Sequence, residues 1–292
     1  MRKLIVHRSA SRGDAWWTNA RKRAQRQTPI RSGQTPERRV EYRSLGKTGL
    51  HVPVLSAGAA AMGGVYGPRD EAESVRTVHR GIDLGITYWD TAPYYGVTRA
   101  EEVLGKALVG RRGQVILSTK IGRYDRTEFD FTAARSRMEV DRGLQRLRTD
   151  HVDILIAHDV EYADPSIVFG EGIPTLQALK REGKTRAIGV SGYPLDVLRR
   201  VTDRAELDVV LSYCHYCLYD TTLVSYARAW RERGLGVISA SPVAMGLLTS
   251  SPPKWHPAPE PLKRAAREAV EHCERRFAAA SGHAVRAAES GS

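Results

Sequence analysis

The amino-acid sequence predicts an α/β protein, a TIM-type (β/α) barrel with an N-terminal β-hairpin and seven recognisable strands, one short of closure. Three observations carry that expectation. Short β-branched runs at 54–58, 86–90, 115–120, 152–158, 187–191, 209–213 and 237–241 recur roughly every 20 to 40 residues. Most are apolar on both faces, as parallel strands buried between a barrel interior and a helical layer must be. Amphipathic stretches separate them, and no G-x-G-x-x-G follows any of them. The alternation therefore reads as a barrel before it reads as a doubly wound dinucleotide-binding sheet.

Taken in order, "EYRSLGKTGLHVPVLS" offers two short β-like runs about a Gly-Lys-Thr-Gly turn, a hairpin placed to plug the barrel floor. After Asp70 and Glu71, the residues Val75, Val78 and Ile82 fall at helical spacing, and Gly85 sits where a C-terminal cap belongs. Val103, Leu104, Ala107 and Leu108 make a second helical face ended by Gly110, and Met138, Leu144 and Leu147 make part of a third. Ile173, Leu176 and Leu179 run into Gly183, and Leu195, Leu198 and Val201 form the next stripe. After Ser241 come five prolines (Pro252, Pro253, Pro257, Pro259, Pro261) and one helical face of Leu262, Ala266, Ala269, Cys273 and Phe277. No later apolar run is long enough for a strand.

The chain has 292 residues and a net charge of +12, yet the charge is unevenly placed. Residues 1–40 hold eleven Lys or Arg against Asp14 and Glu37, which leaves +3 for the other 252. A basic tail is not a basic binding face, so nucleic acid is not an expected partner. The expected division is a basic, disordered extension over 1–40, the barrel over 41–282 and a disordered tail over 283–292. No stretch approaches the roughly 18 apolar residues of a membrane span, and no membrane partner is expected. Three cysteines suit a reducing, cytoplasmic setting. In "CHYC" the pair Cys214 and Cys217 would face opposite sides of an extended segment, and no second ligand pair has metal spacing, so no metal is expected.

Active sites of such barrels gather at the C-terminal ends of the strands. The second run ends in Asp90, the third in Lys120 and the fourth in His158, and Tyr95 lies five residues past Asp90 in the next loop. Singly, each has a structural reading: a turn cap, a solvated amine, a core histidine. Together they make one chemistry. A phenol with an ordinary pKa of about 10 exchanges protons poorly at neutral pH, and a nearby ammonium is expected to lower that value. A carboxylate keeps the amine charged and aimed, and an imidazole orients the substrate oxygen. The set suits proton transfer coupled to hydride transfer at a carbonyl or carbinol carbon.

Over about residues 41–275, "DTAPYYG", "EEVLGKAL", "STK", "VDILIAHDVEY", "LKREGKTRAIGVSG" and "SASPVAMGLL" resemble signatures of the aldo/keto reductase superfamily. "AHDVEY", "LSYCHYCLYD", "ISASPVAMGLLT" and "WHPA" look most like its L-galactose dehydrogenase and aldose 1-dehydrogenase branch. The resemblance implies oxidation of C1 of an aldose, of the L-galactose or L-fucose type, to a lactone with NAD or NADP. It places the catalytic tetrad on Asp90, Tyr95, Lys120 and His158. It further implies nicotinamide contacts from Ser191, with Ser212 and His215 standing at the end of the sixth strand, and backbone from Ser241, Pro242, Val243, Gly246 and Leu247 along the pyrophosphate. The family's eighth strand has no counterpart in the sequence. The alternative expectation is therefore an impaired, cofactor-sensing or interaction protein derived from this family. The expected assembly is a monomer or weak homo-oligomer.

Overall fold

The computed structural model describes residues 40–277, so residues 1–39 of the basic extension, residues 278–282 and the tail over 283–292 lie outside the described residues. Strands β1 (Tyr42–Ser44) and β2 (His51–Pro53) pair antiparallel as the predicted hairpin. Seven further strands follow one another in a single sheet: β3 (Ala57–Gly58), β4 (Tyr88–Asp90), β5 (Ile116–Arg123), β7 (Val152–Ala157), β8 (Thr185–Gly192), β9 (Val209–Tyr213) and β10 (Gly236–Ala240). Every neighbouring pair along that path is parallel. All seven predicted runs form strands, with ends moved by a few residues. The path ends at β3 on one side and β10 on the other, and no described strand joins them.

A short strand absent from the sequence reading, β6 (Phe129–Asp130), folds back antiparallel on the end of β5. Between the strands lie α1 (Glu71–Asp83), α2 (Arg99–Ala107), α3 (Ala133–Arg146), α4 (Ile173–Arg181), α5 (Leu195–Arg204) and α6 (Leu223–Glu232), with α7 (Glu260–Phe277) after β10. The Asp70 carboxylate caps α1 by accepting from the Glu73 amide at 2.6 Å, as its position ahead of the apolar stripe predicts. Helix α6 was not read from the sequence. It buries Leu223 and Trp230, two anchors a full two turns apart, and the exposed Val224 and half-buried Tyr226 between them blur the stripe.

Two of the predicted helical faces need correction. Met138 is exposed, whereas Leu144 and Leu147 are buried as expected and Val140 takes the remaining place on that face of α3. On α7 the buried residues are Ala266 and Val270, with Ala269 and Cys273 only half-buried.

Alternation along the strands divides the apolar residues into two layers. Leu104, Leu117, Leu155, Leu176, Val190, Leu198 and Val210 pack between sheet and helices. Tyr88, Ile154, Ile156, Ala187, Val209 and Leu211 face inward and meet Leu45, Leu50 and Val52 of the hairpin. The hairpin is thus a stopper for the barrel floor, held by the Lys47 amide donating to the Gly234 carbonyl at 2.9 Å. Among the described residues no helix is long and apolar enough to cross a membrane.

Candidate active site

The alternation that turns Tyr88 inward turns Asp90 inward at the strand end, and the same rule sends Lys120 and His158 to the mouth after Ser118 and Ile156. The Lys120 ammonium donates to Asp90 Oδ2 at 2.6 Å, to the Thr91 carbonyl at 2.7 Å and to the Tyr95 hydroxyl at 3.3 Å. Ser118 Oγ donates to the other carboxylate oxygen of Asp90 at 2.6 Å and lies 3.1 Å from the Tyr88 hydroxyl. The rings of Tyr95 and His158 stand perpendicular with centroids 5.8 Å apart. The structure therefore brings together all four residues singled out at the strand ends.

Tyr95 is held by its backbone. Its amide donates to Ala92 and its carbonyl accepts from Ala100, both at 3.1 Å. The next residue, Gly96, has φ +69°, and a Cβ there would stand 2.1 Å from the Gly63 carbonyl oxygen. Only glycine lets the loop after β4 lie against the turn after β3, and that contact fixes where the phenol points.

Electrostatics at the site differ from the expectation drawn from sequence. The Tyr95 hydroxyl is pushed well above the ordinary tyrosine value, first by burial and then by the charges of Asp90 and Asp159. Lys120 does not prevail because its charge is offset by Asp90 at contact distance. The pKa of His158 is driven well below its usual value by burial and by the nearby cations Lys120 and Arg123, so the imidazole is neutral. Its Nδ1 is buried without a hydrogen-bond partner among the described residues.

Around this set stands a ring of groups that sequence reasoning missed. The Arg123 guanidinium donates to Asp159 Oδ2 at 2.5 Å and lies 3.8 Å from the centroid of the Tyr94 ring. Glu161 Oε1 accepts from the Tyr193 amide at 2.8 Å. Asp159, Glu161 and Arg123 are all close enough to Tyr213 to act on its hydroxyl. Their signal was present, since Arg123 lies three residues past Lys120 and Asp159 directly follows His158.

The residues expected at a dinucleotide divide. Ser191 shares the inward face of β8 with Ala187, is buried, and its hydroxyl donates to the Ala157 carbonyl at 3.5 Å. Ser212 shares a face with Val210 and is turned toward the helices, fully buried, so it does not face the mouth as expected; strand period two gives that position to Tyr213. His215 is used locally, its Nε2 2.8 Å from the Tyr193 carbonyl and its Nδ1 3.0 Å from Asp220. Ser241 (φ +56°) opens the loop after β10, and Pro242 and Val243 are exposed on it. The amides of Gly246 and Leu247 donate to the carbonyls of Val243 and Ala244 within the same turn. Burial raises the Cys214 thiol to about 11, and no group of three His, Cys, Asp or Glu among the described residues is placed to hold a metal.

Comparison with known proteins agrees with this geometry. The model of the aldo/keto reductase family matches residues 54–289. The chain is 49% identical over 242 residues to an L-galactose dehydrogenase of Arabidopsis thaliana, covering 80% of this chain and 76% of that one. It is 30% identical over 231 residues to a D-threo-aldose 1-dehydrogenase of a Pseudomonas species, covering 70% of each. The holo form of an aldo-keto reductase from Bacillus halodurans superposes with a TM-score of 0.64 at 31% identity, over 76% of this chain and 71% of that one. Fold, strand-end tetrad and sequence relationship converge: the chain belongs to the aldo/keto reductase family and is an oxidoreductase.

Proposed function

We propose that the protein is a dehydrogenase that uses NAD or NADP to oxidise the C1 hydroxyl of an aldose, of the L-galactose or L-fucose type, to the lactone. The observation that carries this reading is the Asp90, Lys120, Tyr95 and His158 constellation, in a chain nearly half identical to an L-galactose dehydrogenase. Ser191, Tyr213 and the ledge of Pro242 and Val243 would hold the nicotinamide end. When bound, that ring supplies the acceptor for the hydride leaving C1.

The remaining steps belong to the chain's own residues. Tyr95 takes the proton of the C1 hydroxyl, and in the reverse direction returns it to the carbonyl oxygen. Lys120 stands between Asp90 and Tyr95, so it stabilises the phenolate as it forms while Asp90 keeps the ammonium in place. The neutral His158 orients the substrate oxygen and adds no competing charge. Burial of Lys120 and Tyr95 excludes water and strengthens each of these interactions.

Steady-state turnover of a panel of aldoses with each dinucleotide tests the substrate class, and Tyr95→Phe tests the mechanism. The variant is expected to lose turnover by about 100- to 10,000-fold while binding dinucleotide as the parent does. Parallel loss of binding and turnover would remove Tyr95 from the proton-transfer role. Dinucleotide binding with no turnover of any aldose would instead favour the interaction-protein reading.

A further inference from the structure

We propose that Arg123 and Asp159, roofed by the rings of Tyr94 and Tyr162, form the subsite that grips the substrate hydroxyls next to the reacting carbon and so selects polyhydroxylated aldoses over simple carbonyls. The inference deepens the aldose reading above and rests on it for the substrate class.

The pair is built unlike a structural ion pair. Asp159 is 2% exposed and uses one carboxylate oxygen on Arg123, while its other oxygen, Oδ1, is buried with no hydrogen-bond partner. Arg123 Nε is likewise buried and unpartnered. Buried polar atoms are normally satisfied, so an acceptor and a donor left open on the two members of one ion pair point to a ligand that completes them. A sugar hydroxyl, donor and acceptor at once, matches both.

The surroundings suit the same ligand. The guanidinium carbon lies 3.8 Å from the Tyr94 centroid, 5.1 Å from that of Phe129 and 5.8 Å from that of Tyr162. Phe129 and Tyr162 pack at 5.0 Å, across β6 and the loop after β7. Aromatic faces beside a charged fork accept the C–H face of a pyranose while the fork takes its hydroxyls. The location fits as well: Asp159 is the chain neighbour of His158, its Oδ2 is 3.6 Å from His158 Nε2, and Tyr94 is the neighbour of Tyr95. A carbon held at the tetrad places its adjacent hydroxyls over this pair. Asp159 occupies the left-handed region (φ +54°), a conformation costly for most residues but well tolerated by Asp and Asn. A backbone so placed keeps the carboxylate at the mouth.

Asp159→Asn keeps shape and backbone preference but removes the charge and one acceptor. Its kcat/KM for the preferred aldose is expected to fall about 10- to 100-fold further than its kcat/KM for a small aldehyde or alcohol with no neighbouring hydroxyl. The ratio is internal to one preparation, so a misfolded fraction cancels. Arg123→Lys, which keeps the charge but loses the planar fork, is expected to move the ratio the same way. Equal losses on both substrates for both variants would overturn the subsite. Calorimetric titration of the corresponding lactone reads the same contacts without turnover, and unchanged affinity in Asp159→Asn would also overturn it. Wild-type protein that oxidises simple alcohols but no aldose would sink the substrate reading first, and that result is separate from the variants.

Discussion

At the scale of single residues, the acid/base role proposed for Tyr95 makes its protonation the quantity that would set the direction in which the site works easily. Burial and the neighbouring carboxylates hold its proton on, so the resting phenol is ready to protonate a carbonyl oxygen and must lose that proton before it can act as a base. The sign follows: a raised pKa favours the acid form at neutral pH. Initial rates of oxidation are expected to climb continuously from about pH 6 to about pH 10, while rates of reduction stay flat or fall. An oxidation profile that levels off near neutrality would show a phenol lowered rather than raised. Gly96 makes a second test, since a side chain would collide with the Gly63 carbonyl and φ is positive. Gly96→Ala is expected to cost about 1–3 kcal/mol of stability by urea unfolding and to reduce turnover more than dinucleotide binding, because the phenol moves with the loop.

At the scale of elements, the helices hold the strand ends in register through buried charges. Glu101 on α2 is 1% exposed; its carboxylate accepts from Thr119 on β5 at 2.5 Å and from Arg146 on α3 at 2.7 Å. Thr119 precedes Lys120, so this network fixes the backbone that carries the ammonium. Burial raises the Glu101 carboxyl above its usual range despite Arg146, which marks the charge as dependent on its partner. Arg146→Met is expected to destabilise the fold by about 3–5 kcal/mol, read as a shift of the urea midpoint, because it leaves an uncompensated buried carboxylate. Replacing Glu101 and Arg146 together by apolar residues is expected to recover most of that loss. The elements were legible wherever one pattern dominated: short β-branched runs, apolar on both faces, marked the seven parallel strands, and evenly spaced aliphatics marked α1, α2, α4 and α5. No single period marks α6, whose anchors Leu223 and Trp230 are separated by a mixture of apolar and polar residues, or β6, whose two residues are too few to show one.

At the scale of the whole molecule, the described sheet is a curled, open half of a barrel, with the hairpin beneath it and the tetrad above. One rim of the mouth is the loop after β10, where the Gly246 and Leu247 amides are committed to their own turn. In the proposed function, Ser191 and Tyr213 would hold the nicotinamide end of the dinucleotide. NAD or NADP present at about 100 times its dissociation constant is expected to stabilise the protein by about 2.7 kcal/mol, visible as a rise in melting temperature. The dinucleotide giving the larger rise at equal concentration is the preferred one. No shift with either would remove NAD and NADP as ligands and favour the interaction-protein reading.

The sequence by itself determined the fold class, the hairpin floor and the four strand-end residues, because the direction of a side chain in a strand is set locally by alternation. That same alternation, applied to β9, would have exchanged Ser212 for Tyr213. Only the tertiary structure decided the charge states of Tyr95 and His158 and the partnership of Arg123 with Asp159, which are 36 residues apart. Desolvation and ion pairing depend on distances between elements, and no local pattern of residues encodes those distances.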